Sequence, residues 1–202
     1  MDVTLWQAEP DDAEIIARVI RETSAGVVDY LLGGLSRVLS PQRLLTPVIM
    51  ETGHPLSHEN VLLLRQGQTL AGLLLAYPAT AHGIPDILRK VVAAQKLELL
   101  DGLLRVVEPE SLYINTLWVN EAYRGSGVAD DLIECALVAA ADRGLGALCL
   151  HVWVENARAV RFYQRHGFVT TRHFEVPAKP RLPYTGGYDL MKRDLAPARR
   201  LA

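Results

Sequence analysis

The chain has 202 residues, 50% of them hydrophobic and 22% charged, which suits one globular domain and excludes a disordered chain. Its 21 Lys and Arg against 23 Asp and Glu give a formal charge of −2, so no basic excess exists to neutralise a phosphate backbone, and nucleic acid is not an expected partner. Cys135 and Cys149 lie in separate apolar runs with no second thiol or His at ligand spacing, so neither a disulfide framework nor a metal site is expected. Reduced thiols, the absence of a leader-like start and the lack of any apolar run near about 18 residues predict a cytoplasmic chain with no membrane contact.

Residues 3–7 read as a short strand. Asp11 and Asp12 then precede Ala13, Ile15, Ile16, Val19 and Ile20, a spacing that predicts a helix with an acidic start. A second helical stretch is expected over 27–39, ending at Ser40-Pro41, and a short helix with loops over 41–59. Strands at 60–65 and 69–77, joined at Gln66-Gly67-Gln68, predict a hairpin. Pro78 stops the second strand, and 84–104 reads as a helical segment with a break at Asp101-Gly102. Strands at 111–119 and 147–154 alternate with helices at 128–143 and 157–166, followed by strands at 168–176 and 188–192. Two successive strand–helix units predict an α/β fold with a parallel pair, because a parallel return needs a crossover. One domain is expected over 1–196, with a helical insertion at 78–110 and a frayed tail at 197–202.

The sharpest feature is the run Trp118-Val119-Asn120-Glu121-Ala122-Tyr123-Arg124-Gly125-Ser126-Gly127-Val128-Ala129. A strand ends, a glycine turn follows, and a helix begins at once. The first amides of a helix lack internal partners and carry the positive end of its dipole. Glycines beside them let an anion approach. A plain turn between strand and helix explains the same glycines equally well. The run has neither the Lys-Ser/Thr of a Walker loop nor the spacing G-x-G-x-x-G, so a nucleoside triphosphate or dinucleotide is a poor fit.

Downstream, Asn156 is placed to cap a helix whose face carries Ala159, Phe162 and Tyr163, and Gly167 is placed to stop it. With the upstream loop, this segment resembles the GNAT superfamily of acyl-CoA-dependent N-acyltransferases. The family's loop pattern, Arg/Gln-x-x-Gly-x-Gly/Ala, is matched by Arg124-Gly125-Ser126-Gly127-Val128-Ala129. Its later pattern, Asn-x-x-Ala-x-x-Phe-Tyr-x-x-x-Gly-Phe, is matched at Asn156, Ala159, Phe162, Tyr163, Gly167 and Phe168, about 30 residues on. The close resemblance covers 111–176; the first 110 residues follow the family's element order loosely.

The resemblance implies a mixed central sheet of about six or seven strands with helices on both faces, and acetyl-CoA as co-substrate. Amides from Gly125 to Asp130 would hold the pyrophosphate, and the main chain at 117–119 would pair with the pantetheine arm as an added strand pairs with a sheet edge. Asn156 would touch that arm between splayed strands 111–119 and 147–154. The implied cofactor-contacting set is Leu117, Trp118, Val119, Arg124, Gly125, Ser126, Gly127, Val128, Ala129, Asp130, Asn156, Ala159 and Tyr163. Tyr163 would protonate the departing thiolate, and an amide near Val119 would stabilise the oxyanion. No metal is implied.

The family's usual central-strand Glu has no counterpart between Ser111 and Val119, so no base is identified. Alternation puts Tyr113, Asn115, Leu117 and Val119 on one face; Asn115 is the candidate to orient a water, with a purely structural bond as its rival role. Glu108 and Glu110 read as solvated, Tyr113 as packing, Glu121 as remote from the amine, and His151 as a satisfied histidine beside the cleft. Asp29, Tyr30, Tyr184, Tyr188, Asp189 and the Gly186-Gly187 bend are the candidates for shaping the acceptor pocket. The insertion is left open between a lid and a homodimer contact. The expected activity is acetyl transfer to a primary amine, on a small molecule or a peptide. Two rivals stand beside it: a non-catalytic acyl-CoA-binding regulatory module of the same fold, and an unrelated nucleotide-binding protein.

Overall fold

The described residues form seven strands: β1 (Thr4–Gln7), β2 (Val61–Gln66), β3 (Thr69–Pro78), β4 (Ser111–Val119), β5 (Ala147–Trp153), β6 (Val169–Phe174) and β7 (Tyr188–Asp194). The computed structural model describes residues 3–177, 179, 182 and 184–195; the tail expected at 197–202 lies outside them. The strands form one mixed sheet in the order β1-β2-β3-β4-β5-β7-β6. Among the described strands only β4 and β5 pair in parallel, as the strand–helix alternation requires.

Among the described residues there are eight α-helices: α1 (Ala13–Thr23), α2 (Val27–Leu32), α3 (Pro41–Met50), α4 (Asp86–Arg89), α5 (Ala94–Leu99), α6 (Asp101–Arg105), α7 (Val128–Asp142) and α8 (Ala157–Arg165). On one face Ile16 and Ile20 of α1 and Leu45 and Ile49 of α3 pack on Leu63, Leu73 and Leu75. On the other, Leu132, Ile133 and Ala136 of α7 pack on Leu74, Leu112, Ile114 and Leu148. The period-two alternation of the strands supplies both layers.

Local chemistry sets several helix ends. Ser40 accepts from the amide of Arg43 and Pro41 opens α3, a favourable cap and first residue. The helix expected over 27–39 stops at Leu32, where Gly33 is extended and Gly34 takes a φ of 88°. The helical segment expected over 84–104 with a break at Asp101-Gly102 is three short helices, with one break at 90–93 and the late one at Leu100. Val92 and Leu100, at the two joints, are buried in the core, so tertiary packing overrides helical continuity there.

Two irregularities in β4 position everything that follows. Across β3, Thr116 faces Leu75 while Ile114 faces Ala76, leaving Asn115 as an extra residue. Such a bulge reverses the faces of all residues beyond it. The expected common face of Tyr113, Asn115, Leu117 and Val119 is therefore corrected: Tyr113 packs on the α1 side, Leu117 and Val119 on the α7 side. Across β5, pairing runs only from Ser111–Ala147 to Ile114–Leu150. Beyond it β4 stays on β3 and β5 stays on β7, which opens a gap in the sheet.

The bend before β7 is held by Gly187, with φ 77° and a position where a Cβ would run into the Phe174 carbonyl. Gly187→Ala is expected to lower Tm by roughly 5–10 °C, from left-handed strain plus a backbone clash. Thermal unfolding followed by circular dichroism checks this; an unchanged Tm contradicts the packing described.

Candidate functional site

A cleft of about 650 Å³ lies beside the gap, lined by the end of β4, the loop before α7 and one face of α8. Gly125 and Gly127 shape the loop with φ of 79° and 95°, values that L side chains rarely adopt. A Cβ on either would meet nothing within 4 Å, so conformation, and not crowding by the chain, requires glycine there. Gly127 caps α7 without a side chain, and the amides of Val128, Ala129 and Asp130 find no acceptor among the described residues. Those free amides at the positive end of a helix of 15 residues can hold an anion.

The structure brings most of the sequence-derived candidates to this cleft. Leu117, Trp118 and Val119 line it from the strand, Arg124, Gly125 and Gly127 from the loop, Ala129 and Asp130 from α7, and Asn156, Ala159 and Tyr163 from α8. Ser126 and Val128 present no lining side chain: the Ser126 hydroxyl donates to the Tyr123 carbonyl at 2.6 Å, and Val128 is buried. Asn156 accepts from the Ala159 amide at 3.2 Å, capping α8. Asp130 pairs with His166 at 2.8 Å, and Arg124 with Glu121 at 2.6 Å.

Arg158, Arg161 and Arg165 also line the cleft and form no ion pair among the described residues. The sequence reading passed over them. Their spacing of three and four residues puts them on one helical face, which is the signal that was available. Tyr163 shares that helix. Its hydroxyl has no hydrogen-bond partner among the described residues, and burial pushes its phenol up to about 12, so it remains a proton donor at neutral pH.

A second space, about 180 Å³, lies on the other side of the sheet, walled by α1, α2, α3, the insertion and the strands. Its strand end carries a hydrogen-bonded cluster. Asn115 Nδ2 donates to the Tyr77 hydroxyl at 3.2 Å, which lies 3.3 Å from His82 Nδ1. His82 Nε2 is 2.9 Å from the Leu103 carbonyl. A carbonyl only accepts, so Nε2 carries the hydrogen, and Nδ1 of the neutral ring accepts from Tyr77. Asn115 Oδ1 accepts from the Thr116 hydroxyl at 3.1 Å. The Tyr113 hydroxyl lies 3.0 Å from His151 Nδ1; His151 Nε2 is buried without a partner among the described residues.

Burial makes this cluster neutral. It lowers His82 and, with a smaller push from His82, takes His151 down to about 3. Burial likewise raises the phenols of Tyr77 and Tyr113, and Tyr163 adds to the rise at Tyr113 from across the gap. Thr116 lines this cavity and Leu117, the next residue, lines the cleft. The Asn115 bulge therefore sets the two spaces against opposite sides of one stretch of β4.

Other candidates lie elsewhere. Glu108 accepts from the Thr171 hydroxyl at 2.6 Å, and Glu110 is exposed with φ 52°; neither lines either space. Asp29 binds Arg21 at 2.9 Å, Asp189 binds His173 at 2.8 Å, and Lys96 sits over the Tyr30 ring. Asp29, Tyr30, Tyr184, Tyr188 and Asp189, expected to shape an acceptor pocket, do not line the cavity; helix side chains and the insertion do. His151, expected to be satisfied, is hydrogen-bonded at only one nitrogen among the described residues. Among the described residues no group of three or more His, Cys, Asp or Glu could hold a metal ion, and no helix is long and apolar enough to cross a membrane.

Comparison with known proteins gives this arrangement a context. The model of the acetyltransferase (GNAT) family matches residues 49–168. A mycothiol acetyltransferase of Jonesia denitrificans is 37% identical over 87 residues, a stretch covering 42% of this chain and 28% of that protein. The match thus spans less than a third of the relative's length. A crystal structure of an acetyltransferase aligns with 96% of this chain and 100% of its own, with TM-score 0.65 and 21% identity. PaiA N-acetyltransferase from Thermoplasma acidophilum, solved in complex with coenzyme A, aligns with 96% and 100%, with TM-score 0.55 and 14% identity. At those identities the structures speak for the fold alone.

Proposed function

The chain belongs to the acetyltransferase (GNAT) family, and on that premise we propose that it transfers an acetyl group from acetyl-CoA to the primary amine of an acceptor. The single observation that carries the reading is the meeting of a glycine-shaped anion site, a sheet gap and a protonated Tyr163 along one cleft. Acetyl-CoA supplies an activated thioester and a polyanionic tail, and the cleft suits both. The free amides of 128–130 would hold the pyrophosphate. Arg158, Arg161 and Arg165 would face the remaining phosphate charge. The backbone of 117–119, unpaired on its β5 side, would bond the pantetheine amides.

The acceptor amine would approach from the cavity side, past Asn115 and Thr116. Attack needs a free lone pair. A cavity with no carboxylate among its described lining residues disfavours the ammonium by desolvation and favours the nucleophilic free amine. As the C–N bond forms and the C–S bond breaks, Tyr163 would donate its proton to the departing thiolate, and the proton that the acylated nitrogen gives up to solvent would be matched by one that returns to the phenolate. Asn115 would act as a positioning residue, its amide already committed to Tyr77 and its oxygen to Thr116.

This gives a pH prediction with a definite sign. His82 and His151 are both shifted down, so neither takes up a proton above the ordinary histidine value, and the amine is the group of this site that titrates there. The value of kcat/KM should rise about tenfold per pH unit between about pH 7 and 9, with no plateau at an ordinary histidine value. A plateau with an apparent pKa of about 6.5 would contradict the neutral cluster. The function itself is tested by amine-dependent thiol release from acetyl-CoA. Binding of acetyl-CoA without transfer to any amine in a broad panel would favour the regulatory-module alternative.

A further inference from the structure

The cavity on the α1 side of the sheet is specific in what it lacks. Among the described residues that line it, none is Asp, Glu, Lys or Arg. Its two ends differ. The strand end presents Tyr77, His82, Tyr113, Asn115 and His151, while the helix end presents Ile20, Val28, Leu31, Leu45, Leu88 and Val92, with the Thr23 and Ser24 hydroxyls beside them already donated to the Val19 and Arg21 carbonyls. The polar end is also the end beside the β4–β5 gap, because Asn115 and His151 flank the point where pairing stops. An acceptor entering this space would therefore keep its amine toward the sheet and bury its body among the helices.

Resting on the acetyltransferase reading, we infer that the acceptor is a small primary amine with an uncharged, apolar body, about one aromatic ring or a short branched alkyl chain in size. Volume sets the size: about 180 Å³ is below the roughly 300–1,000 Å³ of ordinary ligand pockets. It is close to the ~150 Å³ of an apolar cavity that holds benzene. Charge sets the class. A carboxylate or second ammonium on the body would lose its hydration and find no counter-charge, and the neutral histidines offer none. The molecule's cationic lining is on the other side of the sheet, at Arg158, Arg161 and Arg165. The two spaces thus sort a polyanion from an apolar amine.

The insertion makes this pocket. Gly83, Ile84, Pro85, Leu88 and Val92 wall it on one side, and Leu103 and Leu104 return to close it. The His82–Leu103 hydrogen bond at 2.9 Å ties the two ends of that wall together. The loop before α4, α4 itself and α6 accordingly form the specificity wall, with Val92 at the joint after α4.

The test is thiol release at saturating acetyl-CoA with phenethylamine, phenylalanine and 1,4-diaminobutane, after titration has established acetyl-CoA binding. Phenylalanine carries the same body as phenethylamine plus a carboxylate. The expected kcat/KM for phenethylamine exceeds both others by at least about 100-fold, the discrimination an unpaired buried charge imposes. Phenylalanine or the diamine within tenfold of phenethylamine would overturn the inference. So would a protein that binds acetyl-CoA yet acetylates no apolar amine. A protein that binds no acetyl-CoA would instead remove the reading beneath it, and the inference with it. Leu88→Trp supplies a second check by filling the helix end. It should lower kcat/KM for phenethylamine at least about tenfold while ethylamine stays within about threefold. Equal losses for the two amines would mean that the body does not occupy the cavity.

Discussion

Tyr163→Phe is expected to lower kcat about 100-fold while acetyl-CoA affinity stays within about twofold. The magnitude is the lower end of what a positioned proton donor supplies. It is set at that end because a thiolate is a better leaving group than an alkoxide and can take a proton from water. The substitution removes one oxygen that has no hydrogen-bond partner among the described residues, so neither the fold nor the cleft loses a contact. The ring stays packed against Phe162 and Phe168. The phenol, held near 12 by burial, is protonated at any ordinary assay pH, so the loss should not depend on pH below about 9. Steady-state kinetics beside a binding titration separates the outcomes. Equal kcat in both proteins removes Tyr163 as the donor, and a matched fall in affinity assigns it to binding instead.

Gly127→Glu is expected to weaken acetyl-CoA binding at least about 100-fold. The side chain would project into the open space beside the amides of 128–130 and bring a negative charge to the place where the pyrophosphate is proposed to sit. Part of any effect is conformational, since φ at this position is 95° and any L side chain is strained there. Gly127→Ala carries that strain without the charge and with little bulk. The account predicts that the Ala variant loses much less affinity, and that raising the salt concentration recovers part of the loss in the Glu variant alone. Equal losses in both variants would assign the effect to backbone strain.

The loop around Gly125 and Gly127 is legible in the sequence because its geometry is local. A strand end, two glycines at positive φ and a helix start fall within a dozen residues, and each step has a residue-level cause. The alternation of two strands and two helices after residue 110 is legible for the same reason, and it places the parallel pair correctly. The β4 bulge leaves no such trace. Apart from Asn115 and Thr116, residues 112–119 are apolar or aromatic on both faces, so one extra residue at Asn115 changes which face Leu117 and Val119 take without disturbing the apolar pattern. The face assignment fails there for a tertiary reason.

The cavity is invisible in sequence on different grounds. Ile20, Leu31, Leu45, Leu88 and His151 come from five separate elements, and each reads as ordinary core when taken alone. Acidic and aromatic residues at 29, 30, 184, 188 and 189 attract attention by type, yet the structure engages them in local pairs and packing. What identifies the pocket is the absence of charged side chains among its described lining residues, which no motif encodes. The arginines at 158, 161 and 165 form the intermediate case. Their helical spacing is plain, but they gain meaning only once α8 is seen to border the glycine loop.

Isothermal titration of the purified protein with acetyl-CoA, with ATP and NAD as controls, tests the central claim most directly. The account predicts saturable binding of acetyl-CoA at one site per chain, lost in Gly127→Glu and retained in Tyr163→Phe, with no comparable binding of ATP or NAD. Absence of acetyl-CoA binding at millimolar ligand, or tighter binding of either nucleotide, would contradict it.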